Sequence, residues 1–316
     1  MQATDAAEIR ALFLHVFQHE MSESLWNWKY AEGRGCALIV RDKQGKLIGH
    51  YGGNIRNVIF NGKPVQTMQG VDVMVDHQAR GIMTKNGVFS TMTREFANHF
   101  YGYDRPNLFP IGFPSDRHMK IGELHKIYVS VDTVHELSWP QAKEISLPWW
   151  QSIVQLNPSS PKDQAAINHL WKIQAKDLSD LILPIRDFQQ WKYRFIDHPS
   201  KKYDIFILKN KITKNPIAAW VVCPNTDKEN SSELLDTLSA KKEIPTVLHA
   251  ARYTAQQQNK NLHSWLSSVP VALFKTNDCT VHDIGVRVPT QIVRPAPAPE
   301  ELKNRWWLTG GDTDFK

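Results

Sequence analysis

The stretch Gln69-Gly70-Val71-Asp72-Val73-Met74-Val75-Asp76-His77-Gln78-Ala79-Arg80-Gly81-Ile82-Met83-Thr84-Lys85 decides the fold of this chain. Its valines at positions 71, 73 and 75 alternate with other residues, which predicts a buried β-strand. Residues 78–81 form a polar segment that ends in glycine and predicts a turn. From position 82 to 100 apolar residues recur every three or four positions, so a helix should follow. The unit is therefore strand, tight turn and helix.

A turn of this kind is a candidate anion site. The first N–H groups of a helix have no intrahelical partner, and the helix dipole is positive at that end. Arg80 and Lys85 add positive charge at the same place. A phosphate group is the natural ligand for such a turn.

The turn also resembles the acetyl-CoA loop of the GNAT acyltransferase superfamily. The family pattern is Gln or Arg, two residues, Gly, one residue, then Gly or Ala, directly after a strand. Here it is Gln78-Ala79-Arg80-Gly81-Ile82-Met83, and Met83 departs from it because it is bulkier than Gly or Ala. The resemblance implies that acetyl-CoA binds with its pyrophosphate over residues 79–84 and its pantetheine arm along residues 73–75. The implied cofactor-binding residues are Val73, Met74, Val75, Gln78, Ala79, Arg80, Gly81, Ile82, Met83 and Thr84.

The order of predicted elements around this loop supports the resemblance. Helices are predicted over residues 4–17 and 23–30, and strands over 36–40, 47–51 and 55–60. A short apolar strand over 108–113 follows the long helix, and a turn or helix starts at Pro114 and stops near Gly122. This is the element order of the GNAT fold. The predicted class is α/β (α+β), a mixed central sheet flanked by helices.

The composition is that of a globular protein, more naturally of two domains than of one. The chain has 316 residues, is 41% hydrophobic and carries a formal net charge of +6. The excess charge is scattered and no basic stripe alternates with aromatic residues, so we expect no nucleic-acid partner. The three cysteines, at positions 36, 223 and 279, lack metal-ligand spacing, so we predict no metal. We expect reduced, mostly buried thiols, no targeting segment, no membrane span and a cytoplasmic location.

The second half of the chain repeats the first. Trp28-Lys29-Tyr30 recurs as Trp191-Lys192-Tyr193, from position 28 to position 191, a spacing of 163 residues. A helical stretch precedes each copy and a predicted hairpin follows each, which indicates a duplication. No second acetyl-CoA pattern occurs, so the second domain should bind no acyl-CoA and should instead shape the acceptor site. The predicted domains are 1–155 for the acetyltransferase, 160–290 for a degenerate GNAT-like domain, and 291–316 for a tail that packs on them.

The C-terminal sequence resembles that of tandem-GNAT proteins. A stiff proline-rich connector over 295–299 leads to Arg305-Trp306-Trp307-Leu308-Thr309-Gly310-Gly311-Asp312-Thr313-Asp314-Phe315. Leu108-Phe109-Pro110-Ile111-Gly112-Phe113-Pro114-Ser115 resembles their Gly-Phe-Pro-Asn strand end, with Ser115 in place of Asn. We expect Trp306 and Trp307 to anchor the tail and Gly310-Gly311-Asp312 to form a turn.

Acyl transfer to an amine requires few side chains. The amine must lose a proton to a carboxylate or histidine, and the carbonyl oxygen needs a donor. In the family a backbone N–H of the core strand is that donor, here of Val73 or a neighbour. Asp72 is the best-placed base, with strand-end hydrogen bonding as the structural alternative. Asp116 and His118 share a turn near the expected acceptor, with helix capping as their alternative. No tyrosine occurs between Pro114 and His125 to protonate the leaving thiolate, so His118 or water would do so.

The resemblance implies N-acetyl transfer from acetyl-CoA to a primary amine of a small-molecule or sugar acceptor, by direct attack. Two alternatives stay open. One is a tRNA-dependent aminoacyl transferase, because such enzymes also have paired GNAT-like domains. The other is a non-catalytic acyl-CoA-binding or scaffold protein.

Overall fold

A computed structural model describes residues 5–79, 87–142, 144–224 and 228–314. The chain forms two compact units. Unit 1 consists of residues 1–58, 64–132 and 285–303, and unit 2 of residues 59–63, 133–284 and 304–316. The units are thus not contiguous ranges, unlike the boundaries drawn from the sequence. The tail from 291 to 316 is divided, with 291–303 in unit 1 and 304–316 in unit 2, because the chain passes from one unit to the other several times.

Unit 1 follows the predicted order of elements. Its helices are α1 (Ala6–Phe17), α2 (Glu23–Tyr30), α3 (Val88–Phe100) and α4 (Asp116–Leu124), and its strands are β1 (Gly35–Arg41), β2 (Leu47–Phe60), β3 (Lys63–Val75), β4 (Pro110–Ile111) and the first part of β5 (Tyr128–Trp139). The sheet has the order β1-β2-β3-β4. The two strands expected at 47–51 and 55–60 are one long strand, β2, whose pairing with β1 continues through Gly52, Gly53 and Asn54.

The two faces of β2 carry different helices. On one face Tyr51 stacks on Phe96 of α3 with ring centroids 4.3 Å apart. On the other face the Asn54 side-chain amide donates to the backbone carbonyl of Lys29 in α2 over 2.7 Å. Helix α3, which follows the predicted acetyl-CoA loop, and helix α2 therefore cover opposite faces of one sheet.

Unit 2 repeats this order. Its helices are α5 (Pro161–Asp177), α6 (Phe188–Trp191), α7 (Ile244–Gln257) and α8 (Ser268–Phe274), and its strands are the second part of β5, β6 (Gln151–Gln155), β7 (Leu183–Pro184), β8 (Asp204–Asn210), β9 (Pro216–Pro224), β10 (Ser231–Ser239), β11 (Asn261–Ser267) and the first part of β12 (Thr280–Gln291). The sheet order within the unit is β5-β11-β10-β9-β8-β6. Each Trp-Lys-Tyr segment precedes an antiparallel hairpin, β1–β2 in unit 1 and β8–β9 in unit 2, as the duplication predicts.

The C-terminal segment is an integral part of unit 2. Trp306 and Trp307 are fully buried, which confirms that they anchor the tail. Trp307 packs in the main core of the unit with Phe274 and Leu266. Residues Gly310–Asp312 form a single 3₁₀ turn, as expected from Gly310-Gly311-Asp312. Across the described parts of the chain, no helix is long and apolar enough to cross a membrane.

Candidate acyl-transfer site

Strands β3 and β4 pair over a short distance and then part. They are parallel neighbours, and the ladder joins Met68 to Pro110 and Gln69 to Ile111. Strand β4 ends there after 2 residues, whereas β3 continues to Val75. The backbone groups of β3 from Gly70 to Val75 therefore lie beyond this ladder. Polar backbone groups in such a position require other partners, and a bound ligand can supply them.

Asp72 interrupts β3 near the start of the part that lies beyond the ladder. Its φ is +48°, in the left-handed region that costs a non-glycine residue about 1–2 kcal/mol. In a regular strand Val71 and Met74, three residues apart, would face opposite sides of the sheet. The left-handed residue between them changes this, and both side chains belong to one core cluster. Val73 is half-buried as a result. The expected burial of 71, 73 and 75 in strict alternation is therefore wrong at Val73.

The side chain of Asp72 is held by the end of α2. Lys29 Nζ lies 2.7 Å from Oδ1, and the Tyr30 hydroxyl donates to Oδ2 over 2.7 Å. The Lys29 and Asp72 side chains are only 4% and 5% exposed, so this is a buried ion pair. Gly52 makes room for it, because a Cβ there would overlap the Tyr30 hydroxyl. Asp72 is thus engaged by two donors and shielded from solvent.

His50 fixes the backbone of the same residue. Its Nδ1 lies 2.8 Å from the carbonyl oxygen of Asp72. A carbonyl oxygen can only accept, so Nδ1 carries the proton and Nε2 has the lone pair. Nε2 is buried and has no hydrogen-bond partner among the residues that the structure describes. Burial lowers the pKa of His50 below its ordinary value, which keeps the imidazole neutral.

The predicted phosphate loop begins in a turn that Asp76 holds. Residues His77–Ala79 form a 3₁₀ turn, and Asp76 Oδ1 accepts from the backbone N–H of Gln78 over 2.9 Å. Lys46 Nζ lies 2.9 Å from Asp76 Oδ2, and this hydrogen bond lowers the pKa of Asp76. Gln78 and Ala79 are therefore placed at the end of β3. The other predicted loop residues, Arg80, Gly81, Ile82, Met83 and Thr84, lie outside the described residues.

The helix after this loop begins at Val88 in the structure, with Gly87 as its N-cap residue in an extended conformation. The sequence predicts a helix from position 82, and positions 82–86 lie outside the described part of the chain. The N–H groups of the first described turn are therefore those of Val88, Phe89 and Ser90. Phe89 also packs near His118, with ring centroids 6.0 Å apart. The start of α3 and the start of α4 are thus neighbours.

Asp116 and His118 lie on the first turn of α4, as expected. Asp116 Oδ1 is 3.1 Å from Arg287 Nε, and its side chain is 48% exposed. His118 is exposed, and its Nδ1 lies 3.0 Å from the Ser115 hydroxyl. Asp116 contacts the segment at 287, and His118 contacts Ser115 and Phe89 of α3, whereas the Asp72 side chain contacts α2. The three predicted catalytic residues therefore occupy two separate settings within unit 1.

Sequence reasoning missed Tyr128 because it lies beyond the helix in which a tyrosine was sought. Its hydroxyl donates to the backbone carbonyl of His118 over 2.7 Å, and its ring packs against Gly122. Burial raises its pKa well above the ordinary value for a tyrosine. Tyr128 thus supports the helix that carries His118. Lys29, Tyr30 and His50 were also missed, although the repeated Trp-Lys-Tyr segment gave a signal for the first two.

Unit 2 contains the same arrangement around its own core strand. The parallel strands β10 and β11 pair from Ser231 to Glu233 and then part, and β10 has a bulge between Leu234 and Asp236. Glu233 follows Gln69, and Asp236 follows Asp72, by 164 positions (69 to 233 and 72 to 236). Arg186 Nε donates to Asp236 over 2.8 Å, and Trp191 Nε1 does so over 3.1 Å. We call the gap beyond the last paired residues of two parallel strands the opening; it lies past Gln69 and Ile111 in unit 1 and past Glu233 and His263 in unit 2. Both units therefore have an opening and a buried aspartate next to it.

In unit 2 the C-terminal segment lies at this opening. Leu266 of β11 bridges to Thr309, and the Ser267 N–H donates to the carbonyl of Leu308 over 3.1 Å. On the β10 side, a Cβ at Gly311 would come within 2.9 Å of the Leu235 carbonyl oxygen. Arg186 Nη2 donates to Asp312 over 2.6 Å. The tail thus contacts both separated strands.

Comparisons with known proteins agree with this architecture. Residues 1–119 match the family model described as an acetyltransferase (GNAT) domain. Among curated protein sequences, none matches this chain. Several solved structures resemble this chain in fold at low sequence identity.

One is an Enterococcus faecalis V583 protein of unknown function described as a probable N-acyltransferase, with a TM-score of 0.68, 12% identity, and coverage of 93% of this chain and 71% of that one. Another is Saccharomyces cerevisiae N-myristoyltransferase with bound myristoyl-CoA, with a TM-score of 0.55, 12% identity, and coverage of 96% and 85%. A third is a tandem GNAT protein from the clavulanic acid biosynthesis pathway, with a TM-score of 0.56, 10% identity, and coverage of 92% and 94%. The strand separation in each of two units and the family match lead to one conclusion: residues 1–119 match a GNAT acetyltransferase domain, and the chain has a two-domain GNAT fold.

Proposed function

We propose that this protein transfers an acetyl group from acetyl-CoA to a primary amine of a small molecule or sugar, within unit 1. The observation that carries this proposal is the parting of β3 and β4 after Gln69 and Ile111. Beyond that point β4 no longer pairs with the backbone of β3, and β3 leads directly into the GNAT loop pattern. A structural neighbour that binds myristoyl-CoA supports the acyl-CoA class of donor.

The cofactor would lie along β3 and over the loop after it. The pantetheine arm would pair with the backbone of residues 73–75, as an added strand does. The pyrophosphate would take the N–H groups of residues 79–84, of which only Ala79 belongs to the described residues. The thioester oxygen would accept from the N–H of Val73 or a neighbour, which stabilises the negative charge that develops during attack.

The reaction is a direct displacement. The amine nitrogen forms a bond to the acetyl carbon, the carbon–sulfur bond breaks, and the sulfur leaves as the thiolate of CoA. The nitrogen loses one proton and the thiolate takes one, so the products are the amide and CoA. Burial raises the pKa of the Cys36 thiol to about 11, which argues against this cysteine as a covalent nucleophile. Three cysteines in the thiol form suit a reducing compartment such as the cytoplasm.

We assign the proton transfers to His118. It is exposed at the start of α4, beside Phe89 at the start of α3, and its Nδ1 is oriented by Ser115. Its Nε2 would exchange protons with the amine or the thiolate, directly or through water. Asp116, paired with Arg287, would hold the start of α4 in place.

Calorimetric titration with acetyl-CoA tests the binding part of this proposal. Replacing Gly81 by valine should raise the dissociation constant at least tenfold, or about 1.4 kcal/mol, because a β-branched residue would block the approach of the pyrophosphate to the backbone. Unchanged affinity in a folded Gly81→Val protein would contradict the assignment of the loop. Absence of any binding to the unmodified protein would favour the aminoacyl-transferase or scaffold alternatives.

Release of CoA in a screen of primary amines tests the chemistry. The variant His118→Ala should lower kcat by about 10²–10⁴-fold, the usual contribution of a general acid or base. Its acetyl-CoA affinity should stay close to that of the unmodified protein. The matched control is His99→Ala, which removes an exposed histidine at the far end of α3 and should leave turnover unchanged. Equal turnover in both variants would remove His118 from the mechanism.

A further inference from the structure

A buried aspartate occupies the same place in both units, although only one unit has the acetyl-CoA pattern. Asp72 lies just past the point where β3 and β4 part, and Asp236 lies just past the point where β10 and β11 part. Unit 2 lacks the loop sequence that a cofactor needs, yet it keeps the carboxylate and its burial. Because the buried aspartate is present in a unit without the acetyl-CoA pattern, its role does not depend on the cofactor. Asp72 is itself the left-handed residue of β3, and Asp236 adjoins the bulge of β10, so each aspartate lies at an irregularity of its core strand.

One aromatic partner of each aspartate comes from a Trp-Lys-Tyr segment. Lys29 and Tyr30 belong to the first Trp-Lys-Tyr segment, and Trp191, which binds Asp236, belongs to the second. The cation differs, since Lys29 is in α2 and Arg186 precedes α6. In each unit a buried cation and an aromatic donor hold one carboxylate. The two units thus hold their aspartates by contacts of the same kind, made by different side chains.

Asp72 is also poorly suited to accept a proton from a substrate. Both carboxylate oxygens are engaged, one by an ammonium group and one by a phenol. The side chain is 5% exposed, so an amine could reach it only by displacing these donors. Its backbone carbonyl is held in turn by His50. Three contacts therefore fix one residue whose left-handed φ would otherwise be unfavourable.

We propose that Asp72 is a positioning residue, and that Lys29, Tyr30 and His50 hold it in the left-handed conformation that presents the β3 backbone to the thioester. This inference rests on the proposed function. Without the interruption at Asp72, β3 would alternate regularly, and the N–H of Val73 would point elsewhere. The Trp-Lys-Tyr segment thus sets the geometry of the oxyanion donor through its contacts with the Asp72 carboxylate.

The experiment compares Asp72→Asn with its matched control, Asp236→Asn, in the full chain. Asparagine keeps the shape of the side chain and tolerates a left-handed backbone, but it leaves the buried cation without its counter-charge. Both variants should lower the melting temperature. Only Asp72→Asn should lower kcat, by about a hundredfold, the usual effect of losing an oxyanion donor. An equal loss of kcat in both variants would mean that stability alone is responsible.

The double variant Lys29→Met/Asp72→Asn separates positioning from stability and from base catalysis. Removing both charges should recover the melting temperature while kcat stays low. Recovery of kcat together with stability would overturn the proposal. So would a rate loss in Asp72→Asn that higher pH restores, because that behaviour identifies Asp72 as the base.

Backbone amide exchange provides a readout that does not depend on turnover. Asp72→Asn should change the exchange rates of residues 70–75, whereas Asp236→Asn should not. If the unmodified protein fails to bind acetyl-CoA but the exchange rates change in this way, the proposed function fails and the positioning of β3 stands. If it turns over substrate and the rates of 70–75 are unaltered in Asp72→Asn, the positioning role fails and the function stands.

Discussion

The two units have the same opening between two parallel strands, and they differ in the chain segment associated with it. In unit 1 the core strand β3 leads into the GNAT loop pattern at residues 78–83. In unit 2 the chain's own C-terminal segment lies against both separated strands, through Leu308, Thr309 and Gly311. In either case the opening creates backbone groups that need partners from outside the ladder. In unit 2 the tail supplies partners to β11, and in unit 1 the proposed cofactor would supply them to β3.

The largest expected difference is in binding stoichiometry. Because the tail takes the opening of unit 2, each chain should bind one molecule of acetyl-CoA. Calorimetric titration of the full chain should therefore give a single site. A stoichiometry of two acetyl-CoA molecules per chain would contradict this prediction. It would mean that the cofactor displaces the tail and binds to both units.

The next effect concerns the ion pairs that tie the tail to unit 2. Arg186 is buried and pairs with both Asp236 and Asp312. Replacing it by methionine should leave these carboxylates without a cation and cost about 3–5 kcal/mol of stability in unit 2. Amide exchange in β10 and β11 would report the loss.

A matched control lies in the same unit. Arg252 pairs with Asp278, whose side chain is 46% exposed, so Arg252→Met should cost less than about 1 kcal/mol. The acetyl-CoA affinity of unit 1 should change in neither variant. An Arg186→Met protein as stable as the control would show that the tail is not held by its charges.

The smallest effect is a pH dependence specific to unit 1. The pKa of His50 is lowered by burial, while an unfolded histidine titrates near about 6.5. Below that pH the unfolded chain binds a proton that folded His50 does not, so stability should fall as the pH falls from about 6.5. The slope should be at most about 1.4 kcal/mol per pH unit. Chemical unfolding between pH 5 and about 8 measures it.

His50→Asn is the reference for this measurement. Asparagine can still donate to the Asp72 carbonyl, but it does not titrate. Asp72, Lys29 and Tyr30, which face the imidazole, are present in both proteins. Stability curves that run parallel below pH 6.5 would contradict a neutral buried His50.

Much of the fold could be predicted from local sequence. The hairpins, the helix over Ile244–Gln257 and the two Trp-Lys-Tyr segments depend on turn residues and on the spacing of apolar side chains, which are properties of short stretches. The burial of Trp306 and Trp307 was also predictable from sequence, because two adjacent exposed tryptophans would form an unfavourable apolar patch. The thiols were predicted as mostly buried, but all three are half-buried.

The tertiary structure alone decided what each polar residue of the site does. The sequence placed Asp72 on the core strand, but Lys29 lies 43 residues away, and their pairing depends on how α2 packs on the sheet. Strict alternation failed at Val73 because a left-handed residue is stable only where several distant groups hold it. The sequence by itself determined the resemblance to GNAT proteins, the repeated order of elements and the loop pattern, which are local. The buried ion pair, the neutral imidazole and the tail in unit 2 required the folded chain, because each depends on contacts between residues far apart in sequence.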